Sequence, residues 1–292
     1  MQKVIRYRFG GGLGNRMFEV MLAHSLAERI PGLVVAGPRL AEWRIAPPNL
    51  PLPVRHVKIG GHKPDVPRLA YLLAADIIDG IETIALGCRM EMLPSRDLAQ
   101  RLFPAGLATG HRVGDDTLLI DIRGGEIFGP AHPAYRPLPI AFYERLVAET
   151  GLKPAFSGQI GDDAYSVALR ARFPTATFLP SLGPMENFAT IRHARHVCIP
   201  ISTFCWLAAW LGEAETVHLP VAGMYHPRLR PDVDMLPVAD PRYRFHFFKA
   251  REWKGTPEEV EEAISAPEPG RTMPWEEAVR LAHGMVVLEA AG

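Results

Sequence analysis

Apolar residues in this chain fall into short continuous runs that alternate with longer segments of helical periodicity. The clearest run covers residues 118–122, where only Asp121 is polar, and Arg123 follows directly. Near-continuous hydrophobicity is typical of a strand that is buried on both faces in a parallel sheet. Similar runs recur along the chain and are separated by segments with apolar residues at helical spacing. This alternation predicts an α/β fold with parallel sheets that are covered by helices.

The same pattern predicts the individual elements. In the first half, strands are expected at 4–9, 33–36, 54–59 and 83–86, and helices at 16–29, 68–78 and 94–103. In the second half, strands are expected at 118–122, 153–156, 177–179, 197–200 and 216–219, and helices at 140–150, 162–173, 185–194 and 204–211. Strand and helix therefore alternate more regularly in the second half than in the first.

The segment at 104–116, with its glycines and charges, is the best candidate for a domain boundary. We therefore predict a first domain at 1–110, a second at 111–240 and a C-terminal tail at 241–292. The tail contains a possible edge strand at 243–248 and amphipathic helices at 257–264 and 274–282, which could pack back on either domain. Asp232 and Asp234 lie in a proline-rich loop before it and are interpreted as solvated charge, not as a metal site.

Composition narrows the function classes. The chain has 292 residues, of which 48% are hydrophobic and 22% charged, so a soluble globular protein is expected. Lysine plus arginine equals aspartate plus glutamate at 32 each, so no overall field would attract nucleic acid. The cysteines Cys88, Cys198 and Cys205 show no CxxC spacing, which predicts reduced thiols and a cytoplasmic location.

No classical signal peptide is recognised at the amino terminus. No segment reaches the roughly 20 apolar residues of a membrane span. We therefore expect neither classical secretion nor a transmembrane segment, although the protein could act at the surface of a membrane that carries its substrate.

The position of Arg123 suggests a binding site. It follows a predicted buried strand, and in open α/β sheets ligands bind beyond the carboxyl ends of the strands. A guanidinium at this position suits a phosphate or carboxylate. The simpler interpretation is a surface salt bridge.

Two other segments are candidates for anion binding. Gly10 to Asn15 form a glycine-rich turn between a strand and a helix, where backbone N–H groups can approach an anion, although such a turn can also be a plain connector. Ser202 and Thr203 precede an apolar helix, and serine is a favoured N-cap. Taken alone, this helix start could be an ordinary capped core helix. Together with Arg123, it could bind one diphosphate.

Three motifs then resemble a known family. GGLGNRMFEVMLA at Gly11 to Ala23 resembles the GGLGNQMFQYA signature of bacterial α-1,2-fucosyltransferases, which are related to α-1,6- and protein O-fucosyltransferases. IDIRGGE resembles the HxRRxD segment of that superfamily. NFATIRHARHVCIPISTFCWLAAWLG at Asn187 to Gly212 is similar to its DFxLMxxCKHxIIxNSSFSWWAAWL motif. The motifs occur in the family's order.

The resemblance implies a GT-B fold, in which two Rossmann-like domains face a cleft, and a metal-independent inverting glycosyltransferase without a resident cofactor. Its substrates would be a sugar nucleotide, with a GDP-linked sugar as the first candidate, and a hydroxyl of a glycan in surface polysaccharide or glycan assembly. The donor-binding positions carried over are Gly12, Gly14, Asn15, Arg123, Ser202, Thr203 and Phe204.

Within the segment that resembles HxRRxD, the chain departs from the family at three positions. The family's histidine is Asp121, its second arginine is Gly124 and its terminal acid is Glu126. The donor sugar therefore stays open between fucose and a related sugar.

Arg123 would stabilise the leaving diphosphate, and Glu126 or His132 could act as the base. Glu126 could equally cap a backbone N–H, and His132 could be a loop residue that is hydrogen-bonded to a carbonyl. Two other function classes stay open. One is a sugar-nucleotide or glycan-binding protein without activity. The other is a nicotinamide oxidoreductase that uses the glycine loop, although this loop lacks the third glycine of that motif.

Overall fold

The computed structural model describes residues 2–267 and 269–284. The chain divides into two compact units. The first unit comprises Met1–Leu107 together with Asp232–Met235, and the second comprises Ala108–Pro231 together with Leu236–Gly292. The division after Leu107 lies inside the segment predicted as a linker. The region at 241–292 was predicted as a tail that packs back on the domains, and its described residues, 241–267 and 269–284, are assigned to the second unit.

Within the described residues, the first unit contains a four-stranded parallel sheet in the order β2-β1-β4-β3. Its strands are β1 (Lys3–Tyr7), β2 (Leu33–Ala36), β3 (His56–Ile59) and β4 (Gly80–Thr83). Its helices are α1 (Leu13–Arg29), α2 (Val66–Ala74) and α3 (Arg96–Leu102), with single turns of 3₁₀ helix at Ala41–Trp43 and Met90–Met92. The distant segment Asp232–Met235 joins this unit through backbone hydrogen bonds, since Asp234 N donates to Cys88 O at 3.0 Å.

Two predicted boundaries in the first unit are wrong. Helix α1 begins at Leu13 and not at Arg16, because Gly12 is extended and its carbonyl accepts the first helical hydrogen bond, from Arg16 N at 3.1 Å. Strand β4 ends at Thr83, where the prediction began, and it includes Glu82. A carboxylate within a strand is accommodated here because Arg8 pairs with Glu82 at 2.5 Å.

The second unit contains, in its described part, a seven-stranded sheet in the order β11-β10-β9-β8-β5-β6-β7. The strands are β5 (Thr117–Ile122), β6 (Lys153–Gly158), β7 (Thr177–Phe178), β8 (His196–Cys198), β9 (Thr216–Val221), β10 (Tyr243–Phe247) and β11 (Arg271–Met273). All neighbours pair in parallel except β10 and β11. The six neighbouring strands β7-β6-β5-β8-β9-β10, with β5 counted as the first strand, have the strand order of the Rossmann fold. The predicted α/β class with parallel sheets is confirmed.

Helices connect these strands, and a last helix follows β11. They are α4 (Ile140–Thr150), α5 (Ala164–Arg172), α6 (Pro184–His193), α7 (Thr203–Leu211), α8 (Pro257–Ser265) and α9 (Trp275–Ala282), with 3₁₀ turns at Gly125–Phe128 and Gly223–Tyr225. In the second unit the core lies around α7, and Trp206 of this helix is fully buried. The cysteines Cys88, Cys198 and Cys205 are free and buried, as the absence of CxxC spacing predicted. Among the described helices, none has both the length and the apolar character needed to cross a membrane.

Candidate functional site

Strands β5 and β8 form the switch point of the second sheet. They lie side by side, with Leu118 opposite His196 and Ile120 opposite Cys198. From β5 the chain runs through α4 to β6 on one side, whereas from β8 it runs through α7 to β9 on the other. The two connections therefore leave in opposite directions. In open α/β sheets a crevice forms beyond the carboxyl ends of such a strand pair.

A buried acid links the two loops at this point. Asp121 near the end of β5 accepts a hydrogen bond from the Cys205 thiol in the first turn of α7, with an Oδ1–Sγ distance of 3.2 Å. Its other oxygen accepts from Ser157 Oγ at 2.7 Å, because the register pairs these two residues across β5 and β6. Burial raises the pKa of Asp121, and both hydrogen bonds and the Arg123 charge oppose that rise. The strand end that carries Arg123 is thus joined directly to the start of α7.

The Arg123 guanidinium is held on two sides. Nη2 donates to Glu126 Oε1 at 2.6 Å, and the guanidinium lies 5.0 Å from the centre of the Tyr135 ring. Arg123 Nε is buried and has no hydrogen-bond partner among the described residues. A buried donor of this kind is costly unless something accepts from it. Arg123 therefore combines a fixed orientation with unused donor capacity.

The absence of a second arginine at Gly124 has a steric cause. A Cβ on Gly124 would lie 2.4 Å from Gln159 O and 3.2 Å from the Phe128 ring. The close approach of the Gln159 backbone leaves no room for any side chain at this position. The packing of this loop therefore requires glycine at position 124, where the motif that the segment resembles has an arginine.

Glu126 lies beside Arg123 but is engaged. Besides Arg123, its carboxylate accepts from Gln159 Nε2 at 3.4 Å. Partial burial raises the pKa of Glu126, but the hydrogen bond with its own backbone N–H, the Arg123 charge and the Gln159 amide outweigh that effect and lower it overall. A carboxylate with a lowered pKa is a weaker base than an ordinary glutamate.

His132 lies in the same loop. Its ring is 5.3 Å from the Tyr135 ring, so that Glu126, Arg123, Tyr135 and His132 form one contiguous cluster. His132 Nδ1 accepts from Ala134 N at 3.0 Å, so the neutral ring carries its proton on Nε2. Burial and the Arg230 charge lower the pKa of His132. The ring is therefore neutral at pH 7 and can donate from Nε2.

The start of α7 is capped as the sequence predicted. Ser202 is the N-cap, and its hydroxyl accepts from Cys205 N at 3.4 Å. Its backbone is held by Tyr225, whose hydroxyl accepts from Ser202 N at 2.9 Å and donates to Ser202 O at 2.8 Å. Thr203 is also buried, and Phe204 packs edge-on against Phe188 at 5.2 Å. The hydroxyl pair thus lies at a rigid helix start.

The glycine loop lies in the first unit. Gly12 is the N-cap of α1, and a Cβ there would meet nothing within 4 Å, whereas Gly14 and Asn15 lie in the first helical turn. Gly10 N donates to both carboxylate oxygens of Glu19, at 3.0 and 3.2 Å. Burial raises the pKa of Glu19 to about 7, against the Gly10 hydrogen bond and the Arg16 charge. The Gly10 N–H is therefore already bound to the Glu19 carboxylate and is not available to an added anion.

Sequence reasoning missed four residues that shape these loops: Glu19, Gln159, Tyr225 and Trp253. Glu19 is the one residue of this set with a local signal, since an acid within the apolar stretch of α1 indicates a buried carboxyl. The indole of Trp253 donates to Ile127 O at 2.7 Å, and its backbone N–H donates to Pro133 O at 2.8 Å. The predicted tail therefore holds the loop that carries Glu126 and His132.

No cluster of three or more histidine, cysteine, aspartate or glutamate side chains suited to a metal ion occurs within residues 2–267 and 269–284. Asp232, the first aspartate of the Asp-x-Asp sequence, has its Oδ2 atom 3.7 Å from His62 Nε2.

Comparison with known proteins gives limited information. No protein-family model matches the chain, and no curated protein matches it. Among solved structures it is similar to E. coli ADP-heptose LPS heptosyltransferase II, at 13% identity and a TM-score of 0.42, over 97% of this chain and 99% of that one. It is also similar to NodZ alpha-1,6-fucosyltransferase soaked with GDP-fucose, at 13% identity and a TM-score of 0.40, over 74% of this chain and 94% of that one.

A third similar structure is a variant of Arabidopsis thaliana FUT1 in complex with GDP, at 11% identity and a TM-score of 0.44, over 93% of this chain and 74% of that one. Likeness at this level assigns neither a family nor a substrate to this chain. The fucosyltransferase resemblance therefore continues to depend on the three sequence motifs.

Proposed function

We propose that this protein is a glycosyltransferase that moves a sugar from a nucleoside-diphosphate donor to a hydroxyl of a glycan acceptor. A GDP-linked donor of fucose or a related sugar is the first candidate, as the motifs imply. The proposed reaction inverts the anomeric centre and uses no metal ion or resident cofactor. A cytoplasmic location is part of the proposal, since the chain keeps three buried free cysteines, as a reducing compartment allows.

One observation carries the proposal: Arg123 and the Ser202 helix start belong to loops that leave the β5–β8 switch point and are joined there through Asp121 and Cys205. A diphosphate beyond these strand ends would meet the Arg123 side chain, which is 27% exposed and is oriented by Glu126 and Tyr135. It would also meet the positive end of α7, where helix dipoles favour anions.

In this mechanism Arg123 binds the diphosphate and stabilises the negative charge that grows on it as the glycosidic bond breaks. Such preorganised electrostatic stabilisation is commonly the largest single catalytic effect. Asp121 and Tyr225 fix the positions of the two loops, so that the site needs little reorganisation as this charge develops. The acceptor hydroxyl loses its proton to a base, for which Glu126 and His132 are the candidates from the sequence.

The test is a thermal-shift screen of GDP-, UDP-, dTDP- and CMP-sugars, followed by a transfer and donor-hydrolysis assay with the donor that binds. A ligand that binds only the folded state raises the melting temperature. Failure of every sugar nucleotide to bind would reject the proposal. Turnover that disappears in a chelator would reject its metal independence.

A matched pair of variants locates the site. Arg123→Gln should abolish transfer with the fold intact. Arg271→Gln is the control, because Arg271 also pairs with a glutamate, Glu277 at 2.8 Å, and also lies over an aromatic ring, Phe247 at 4.8 Å, but it does so on the edge strand β11. Equal activity of the two variants would show that Arg123 has no special role.

A second function, a sugar-nucleotide-binding protein without transfer activity, is favoured by the state of the two candidate bases. Glu126 has a lowered pKa and is paired with Arg123, and His132 Nδ1 already accepts from a backbone N–H. Saturable donor binding without any hydrolysis or transfer would support this alternative. Turnover that falls in Glu126→Gln but not in His132→Gln would instead identify the base.

A further inference from the structure

The Arg123 guanidinium in the proposed donor site is already paired with a carboxylate. Its Nη2 atom donates to Glu126 Oε1 at 2.6 Å, so one of its donors is bound to an anion of the protein itself. The Glu126 side chain is 53% exposed, so this carboxylate faces the solvent from which a ligand arrives. A phosphoryl group that binds Arg123 must therefore lie close to Glu126 as well.

The Glu126 carboxylate is also held from a second direction. Its Oε2 atom accepts from Gln159 Nε2 at 3.4 Å, and Gln159 Oε1 accepts from Gly124 N at 3.3 Å. The backbone before Glu126 is constrained, because Gly125 has a φ of 63°, which favours glycine, and Gly124 packs against Gln159 O. The negative charge therefore stays beside Arg123, and position 124 cannot supply a cation to offset it.

A sugar nucleotide and the nucleoside diphosphate that remains after transfer differ in charge at the phosphoryl group next to the sugar. In the free nucleoside diphosphate this terminal group carries about two negative charges at pH 7.5, because the second pKa of such a group is about 6. In the donor the same group is esterified to the sugar and carries a single charge. A carboxylate beside this group therefore repels the product more strongly than the donor.

We propose that Glu126 is a specificity-determining residue that lowers the affinity of this site for a free nucleoside diphosphate relative to the nucleoside-diphosphate sugar, and so favours release of the product. This inference rests on the proposed function and deepens it. The role is distinct from that of a base, since it requires charge but no proton transfer. At a separation of about 5–6 Å in half-exposed surroundings, one extra charge corresponds to about a threefold to tenfold difference in affinity.

The experiment measures binding of GDP and of GDP-fucose by calorimetry at pH 7.5 to the unmodified protein and to Glu126→Gln. Glutamine keeps the size of the side chain and can still accept from Arg123, whose guanidinium also stays over the Tyr135 ring. In Glu126→Gln, the dissociation constant of GDP should fall by about threefold to tenfold more than that of GDP-fucose. In a transfer assay, GDP should become a stronger product inhibitor by the same factor.

Glu149→Gln is the matched control. The Glu149 carboxylate also accepts from an arginine, Arg145 Nη1 at 2.9 Å, and its side chain is 49% exposed, but it lies on α4. This variant changes the net charge of the protein equally. It should leave the ratio of the two dissociation constants unchanged.

The outcomes separate this inference from the proposed function. If the unmodified protein binds neither GDP nor GDP-fucose, the proposed GDP-linked donor is wrong and this inference falls with it. If both ligands bind and Glu126→Gln changes the two dissociation constants by the same factor, the donor site stands, and Glu126 only orients Arg123. If Glu126→Gln does not fold, Glu126→Ala decides, because it removes the same charge from a half-exposed position, and an unchanged ratio in that variant would reject the role of Glu126.

Discussion

Replacing Trp253 by phenylalanine tests whether the C-terminal segment holds the Arg123 loop. The indole N–H donates to Ile127 O at 2.7 Å, and both residues are buried. Phenylalanine keeps most of the ring but removes this donor. A buried carbonyl that loses its partner costs about 1–3 kcal/mol, and the smaller ring adds a packing loss of the same sign.

Trp275 offers a matched control. Its indole N–H also donates to a backbone carbonyl, Val238 O, at 2.7 Å, but Trp275 as a residue is 58% exposed. Water can replace the lost donor there, so Trp275→Phe should cost well below about 1 kcal/mol. The two variants therefore make the same chemical change in buried and in exposed surroundings.

Urea unfolding followed by circular dichroism measures the difference in unfolding free energy. For a unit of this size each kcal/mol corresponds to about 2–4 °C in melting temperature. Trp253→Phe should also weaken donor binding, because the loop that Trp253 holds carries Glu126 and Tyr135, which orient Arg123. Equal destabilisation by the two variants, or unchanged donor binding by Trp253→Phe, would refute this reasoning.

Three further predictions concern stability. Gly124→Ala should destabilise the second unit, because the new Cβ would lie 2.4 Å from a backbone oxygen. Gly12→Ala is the control and should not destabilise the protein, because a Cβ there has open space. Equal melting temperatures of the two variants would contradict this prediction. The rings of His218 and His246 are buried, with His218 Nδ1 2.9 Å from His246 Nε2, and burial together with nearby positive charges lowers the pKa of both. Below about pH 6.5 the unfolded chain therefore binds more protons than the folded protein. The free energy of unfolding is at its full value above this pH and falls below it by up to about 1.4 kcal/mol per pH unit for each histidine. Urea unfolding at pH 7.5 and pH 5 measures this loss, and equal free energies of unfolding would refute the prediction. Burial raises the pKa of Glu19 to about 7, so the stability that this group confers is complete below its unfolded pKa and is lost as pH rises through 7. Glu19→Gln should therefore stabilise the protein at pH 8 but not at pH 4, and an equal effect at both would contradict the burial argument.

The local parts of the candidate site could be predicted from the sequence. Arg123 follows a buried strand and Ser202 caps a helix, and both features depend on residues within a few positions of each other. The boundaries of α1 and β4 could not be predicted in the same way. Gly12 can cap a helix through its carbonyl alone. Glu82 can lie in a strand because Arg8, which directly follows the neighbouring strand β1, pairs with it.

The sequence by itself determined the α/β class, the alternation of strands and helices, and the identities of the cation and hydroxyls at two strand ends, because apolar periodicity and capping are local properties. Only the tertiary structure decided that β8 lies beside β5, that Gln159 excludes a side chain at Gly124, and that Trp253 holds the loop after β5. These contacts join residues 35 to 126 positions apart. Packing of distant segments selects such partners, and a local pattern does not contain that information.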